Sequence, residues 1–113
     1  MASFSQGTII WATMLDPRGL NPKCRPGIVL NNGHEPGELI VVAALTTTFR
    51  EPLDSHLIEI PCDGGTLLKK RCVAVCNWLV VVTEADVVSI GGRVGLPVMR
   101  AIIANLPKKP KPK

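Results

Sequence analysis

The sequence predicts a mainly β protein, a small curled sheet or barrel of five to seven short strands with one C-terminal α-helix. Three observations carry this. Val and Ile crowd into short runs with high strand preference. Pro, Gly, Asn and Asp cluster between those runs and mark turns. One stretch alone, beginning at Leu96, repeats its apolar residues at helical spacing. The 113 residues suit a single domain, residues 1–106, followed by a Lys/Pro-rich tail, 107–113. A chain of this length buries roughly two thirds of its surface, so its core needs neither a disulfide nor a metal.

Residues 7–14 read as a first strand, with Ile9, Trp11 and Thr13 on one face and Ile10, Ala12 and Met14 on the other. Residues 15–24 hold Asp16-Pro17, Gly19 and Asn21-Pro22, which is dense turn chemistry. Residues 27–31 predict a second, mostly buried strand, and 32–37 a polar connection. Residues 38–48 are long, apolar and end in three threonines, as a central strand would. Residues 49–55 read as a loop, 56–61 as an alternating strand, and 62–65 as a turn. Residues 67–82 are the most β-prone stretch but exceed an ordinary strand, so a bend is expected near Asn77-Trp78. A turn at 83–86 and a short strand at 87–90 follow. Pro97 suits a first helical turn, and Leu96, Met99, Ile102, Ile103 and Leu106 share a helix face that Pro107 ends.

The formal charge of +4 overstates how basic the body is. Lys108, Lys109, Lys111 and Lys113 lie in the tail, and without them nine basic side chains face nine acidic ones. A basic surface must therefore be local: Arg18, Lys23 and Arg25 in one loop, Lys69, Lys70 and Arg71 in another. Four cysteines fit no zinc spacing, and no other metal or cofactor motif is present. Cys72 and Cys76 fall on one strand face, too far apart to bond, and read as reduced thiols packed as small core residues. The N-terminus shows no secretory pattern and the longest apolar run is too short to span a bilayer. A cytoplasmic protein away from membranes is the expectation.

The stretch Lys23-Cys24-Arg25-Pro26-Gly27 carries the chemistry. Pro26 stiffens its own backbone and holds Arg25 extended where a loop becomes a strand. A guanidinium there has two possible roles: pairing with a nearby carboxylate to cover a sheet end, or gripping a phosphate. His56 before a strand and His34 in an acidic loop have the acidity for proton transfer. Their blander readings are a structural and a solvated histidine.

Several segments in order resemble the PemK/MazF family, the toxins of bacterial type II toxin–antitoxin pairs. They are Gly7-Thr8-Ile9-Ile10-Trp11, Leu15-Asp16-Pro17-Arg18-Gly19, Cys24-Arg25-Pro26-Gly27-Ile28-Val29-Leu30, Val42-Ala43-Ala44-Leu45-Thr46-Thr47, His56-Leu57-Ile58-Glu59-Ile60 and Ile90-Gly91-Gly92-Arg93-Val94. The resemblance spans roughly residues 6–106. It implies an SH3-like barrel with a C-terminal helix, a homodimer, and a cognate antitoxin partner. It implies a metal-independent endoribonuclease that cuts single-stranded RNA by attack of the ribose 2′-OH on the adjacent phosphate. In that chemistry Arg25 would stabilise the phosphorane and shuttle a proton, and Thr46 would hold the scissile phosphate. RNA contacts would come from Arg18, Lys23, Thr48, Arg50, His56, Lys69, Lys70 and Arg71. Strand alternation puts Thr46 and Thr48 on one face and Thr47 on the other.

The chain also departs from the family. Where many members carry an acidic residue, Gln and then Arg, this sequence aligns Cys76, Asn77 and Leu79. The loop between Pro17 and Arg25 is shorter than usual and lacks the Gly-rich turn. His34, His56 and Arg50 are the candidate substitutes for the missing groups. The alternative function is therefore an SH3-like barrel that binds RNA or a protein partner without cutting it.

Overall fold

The computed structural model describes residues 5–15, 18–31, 39–49, 54, 56–62 and 65–106. Among them run six strands, β1 (Thr8–Met14), β2 (Lys23–Val29), β3 (Ile40–Thr46), β4 (Leu57–Ile60), β5 (Cys72–Val82) and β6 (Val87–Arg93), and then one helix, α1 (Leu96–Ala104). All pairings are antiparallel, in the order β4-β5-β3-β2-β1-β6. The mainly β architecture with a terminal helix agrees with the sequence. The ladder itself is open, with β4 and β6 as edges, and does not close into a barrel. What joins the two edges is a turn. The Gly92 N–H donates to the Thr66 carbonyl (3.2 Å) and the Arg93 N–H to the Gly65 carbonyl (2.8 Å). A side chain at Gly92 would collide with that same backbone, which is why glycine stands there.

The apolar runs fail to alternate because the curled sheet is buried on both faces. Ile9 and Ile28, paired across β1 and β2, pack with Leu45, Ala74 and Cys76 under Met99 and Ile102 of α1. Their sequence neighbours Ile10, Ala12, Met14 and Val29 join Ile40, Val42 and Val82 on the opposite face. Gly27 lets the layers meet, since a Cβ there would come within 2.9 Å of Met14 Cε and 3.2 Å of the Ala43 carbonyl.

Several boundaries differ from expectation. β2 begins at Lys23, so Arg25 and Pro26 sit inside the strand, paired with Ala12 and Trp11. The proline is tolerated because pairing with β3 starts only at Gly27, leaving Pro26 at a local edge. β5 is one continuous strand, yet its register against β3 jumps between Leu79 and Ala74, bracketing the Asn77-Trp78 step where a bend was expected. β6 runs three residues past the expected Ile90 to Arg93, held by the turn that joins the edges. In the linker ahead of it, the Thr83 N–H donates to the Asp86 carboxylate (2.8 Å). α1 starts after Gly95 with Pro97 in its first turn, and buries Met99 and Ile102. The Asn105 side-chain amide donates to the Ala101 carbonyl (2.8 Å) at its end. Pro107 and the Lys/Pro tail lie outside the described residues.

All four cysteines are free thiols: Cys72 and Cys76 buried, Cys24 and Cys62 exposed. Burial, with Cys62 as a second cause, pushes the Cys72 thiol up to about 11, and burial raises that of Cys76. No helix among the described residues is long and apolar enough to cross a membrane.

Candidate nucleic-acid interface

One cavity wall holds the two leading candidates. Gly27 pairs with Ala44 at the last step of the β2–β3 ladder, and beyond it Arg25 and Thr46, where β3 ends, both line that wall. On the other side of β3, Ala43 pairs with Leu79, which sets Trp78 beside Ala44 on the same face. The guanidinium carbon of Arg25 accordingly lies 5.5 Å from the centre of the Trp78 ring. Arg25 Nε donates to the Met14 carbonyl (3.4 Å) and Nη2 to the Asn21 carbonyl (3.0 Å). Asn21 has a positive φ of 55°, a conformation that asparagine tolerates better than most residues. No carboxylate among the described residues pairs with Arg25. Of the two roles the sequence left open, the ion-paired cover for a sheet end is not the one found. The guanidinium is held by carbonyls and a ring, which orient it and leave its charge uncompensated.

Arg25 lines a cavity of about 710 Å³. Lys23, Lys69 and Lys70 add three further cations to its wall, and no Asp or Glu among the described residues lines it. None of these lysines has a carboxylate partner among the described residues. A formally neutral body therefore carries a concentrated positive site, the local field that draws in a polyanion. Thr46, Thr47 and Thr48 line the same cavity. The expected split, Thr47 facing away, does not hold, because β3 stops at Thr46 and strand alternation ends with it. The Thr48 N–H donates to Thr46 Oγ1 (3.1 Å), folding the chain back toward the cavity.

The remaining candidates are placed elsewhere. Arg71 is exposed outside the cavity wall, its Nη2 donating to Glu59 Oε1 at 2.8 Å and its Nε to Oε2 at 2.5 Å. The ring of Phe49 lies 5.1 Å from its guanidinium. The hydrogen bond from Arg71 is the main reason the Glu59 carboxyl is held below its ordinary value. Arg18 lies exposed in the β1–β2 connection, off the cavity wall. His56 is half-buried ahead of β4, off the cavity wall, and its backbone carbonyl accepts the Cys76 N–H (2.9 Å). Arg50 and His34 lie outside the described residues. Cys76 is fully buried in the core, and Asn77 and Leu79 are exposed, so none of the three supplies an acid or a cation to the cavity.

Sequence reasoning missed Trp78 and Trp11. Trp78 reads as one more apolar residue in a β-prone run, and only the register against β3 brings it to Arg25. Trp11 alternates with buried neighbours, yet 37% of it is exposed in the cavity wall. Among the described residues no cluster of His, Cys, Asp or Glu is arranged to hold a metal. Compared with known protein families and with curated proteins, the chain matches none.

Proposed function

We propose that this protein is the toxin of a type II toxin–antitoxin pair, a metal-independent endoribonuclease acting on single-stranded RNA. The observation that carries the reading is Arg25, held by two carbonyls and the Trp78 ring, in a cavity that it shares with Thr46 and that no carboxylate among the described residues lines. A fixed, uncompensated guanidinium suits the doubly charged phosphorane formed when a ribose 2′-OH attacks its neighbouring phosphate. Removing one such preorganised donor typically costs about 10²–10³ in rate. Lys23, Lys69 and Lys70 would hold flanking phosphates, and the threonine hydroxyls would orient the scissile one. The SH3-like barrel belongs to the same proposal. Its support is the pair of backbone hydrogen bonds from Gly92 and Arg93 that draws the sheet edges together. So do a homodimer, for which exposed Val81, Val88 and Ile90 offer apolar surface, an antitoxin partner and a cytoplasmic site of action.

One observation favours a second reading, a barrel that grips RNA without cutting it. No carboxylate or imidazole lines the cavity among the described residues, so no ordinary general base stands ready for the 2′-OH proton. Purified protein incubated with mixed-sequence RNA in a chelator separates the two. Cleavage leaving cyclic phosphate ends, and abolished in Arg25→Ala, supports the nuclease. RNA that stays intact at high protein concentration, but is retained in a salt-sensitive way, supports the binding module. Undiminished cleavage by Arg25→Ala removes Arg25 from both.

A further inference from the structure

The cavity is only half explained by phosphate chemistry. Its wall also carries apolar side chains, among them Trp11 and Leu67. Both are exposed, Trp11 by 37% and Leu67 by 63%. Two backbone irregularities put them there. The β1–β6 register shifts between Trp11 and Ala12, and such shifts re-aim side chains next to functional sites. Leu67 has a positive φ of 59°, which is strained for a bulky residue.

That strain is imposed by the flanking residues. Thr66 is buried, and its hydroxyl donates to the Pro61 carbonyl (2.7 Å) while accepting the Leu68 N–H (3.4 Å). The Thr66 carbonyl in turn accepts the Gly92 N–H (3.2 Å). The fold thus fixes the residue on either side and holds Leu67, exposed, in that strained conformation.

We propose that Trp11 and Leu67 are the apolar walls of a nucleobase slot, which takes one unstacked base while Arg25 and the lysines hold the adjoining phosphates. The indole supplies the stacking face and Leu67 the covering wall, so the site takes single strands, whose bases can splay outward, in preference to duplex. The inference rests on the reading of the cavity as a polynucleotide site, but its test reads binding and not cleavage.

The probe is a fluorescently labelled single-stranded 2′-deoxy oligonucleotide, which lacks the attacking hydroxyl, compared with an abasic strand of the same phosphate number. The base-bearing strand is expected to bind roughly 5- to 100-fold more tightly, the range that stacking one base supplies. It is also expected to quench indole emission, and the abasic strand is not. Trp11→Ala should bring the base-bearing strand down to the abasic affinity with the salt dependence unchanged. Trp11→Phe should keep most of the affinity and lose the quench, although Trp78 still emits. Leu67→Gly guards against misfolding, because glycine accepts the positive φ without strain. It should keep the protein folded and reduce base discrimination. Equal, salt-sensitive binding of both strands by the unaltered protein overturns the slot and spares the phosphate site. Retention of neither strand overturns both.

Discussion

Two arginines, Arg25 and Arg71, look alike in the sequence and differ in the fold. Each lies over an aromatic ring, Arg25 at 5.5 Å from Trp78 and Arg71 at 5.1 Å from Phe49. Arg71 is gripped by both carboxylate oxygens of Glu59, and the pair stands exposed. Its charge is compensated before any ligand arrives. Among the described residues, Arg25 bonds to the carbonyls of Met14 and Asn21, which accept hydrogen bonds without bringing a countercharge. A ring and a hydrogen-bond acceptor orient both side chains. Only the missing carboxylate leaves Arg25 with a field to offer an anion.

The largest expected effect tests that difference directly. Arg25→Ala should lower RNA cleavage by about 10²–10³. If the protein only binds, the same variant should lose RNA retention in place of cleavage. Arg71→Ala should leave either activity within about twofold, since its charge is already taken up by Glu59 and an exposed ion pair contributes little. Equal losses from the two variants would show that the countercharge is not what separates them.

The next effect concerns orientation. Trp78→Phe keeps a ring beneath Arg25, whereas Trp78→Leu keeps only bulk. A cation–π contact contributes about 0.5–2 kcal/mol, so Trp78→Leu should reduce kcat roughly 2- to 30-fold with little change in KM, and Trp78→Phe much less. Rescue by phenylalanine separates positioning of the guanidinium from a simple packing defect. If both variants fall equally, the ring is not acting through Arg25.

The two arginines also mark how far the sequence could be read. The sheet-with-helix architecture was legible because turn residues and β-branched runs are local signals, and α1 shows a clean helical period up to Leu106. Arg25 and Thr46 were legible as candidates by their resemblance to a known pattern, and the fold places both in one cavity wall. The partners of the two arginines were not legible. Glu59 meets Arg71 because Glu59 pairs with Val73 across β4 and β5, and Trp78 meets Arg25 across β3. Such contacts depend on register and on the slip between Leu79 and Ala74, which no local pattern encodes. The sequence likewise counted Lys69, Lys70 and Arg71 as one basic run. The fold puts the two lysines in the cavity wall and the arginine outside it.

That division sets a smaller, graded test. Lys69→Ala and Lys70→Ala should each lower the slope of log affinity against log salt by about 0.7, the release expected per phosphate contacted on a single strand. Arg71→Ala should leave the slope unchanged. A matching loss of slope in Arg71→Ala would mean that bound RNA displaces Glu59 and recruits the whole basic run.

The smallest effect is a titration. Arg71 lowers the Glu59 carboxyl from its ordinary 4.5, chiefly through the hydrogen bond between them. A carboxyl depressed in the fold adds stability above its unfolded value, and that contribution is lost as pH falls through the folded value. Followed by NMR, the Glu59 carboxyl should titrate below 4.5 in the unaltered protein and return toward 4.5 in Arg71→Ala. Fluorescence polarisation over the same acidic window should show no matching step in oligonucleotide affinity, because Arg25 has no carboxylate partner among the described residues. A step in affinity that follows Glu59 would tie the outer pair to the cavity, and the contrast between the two arginines would then be one of degree.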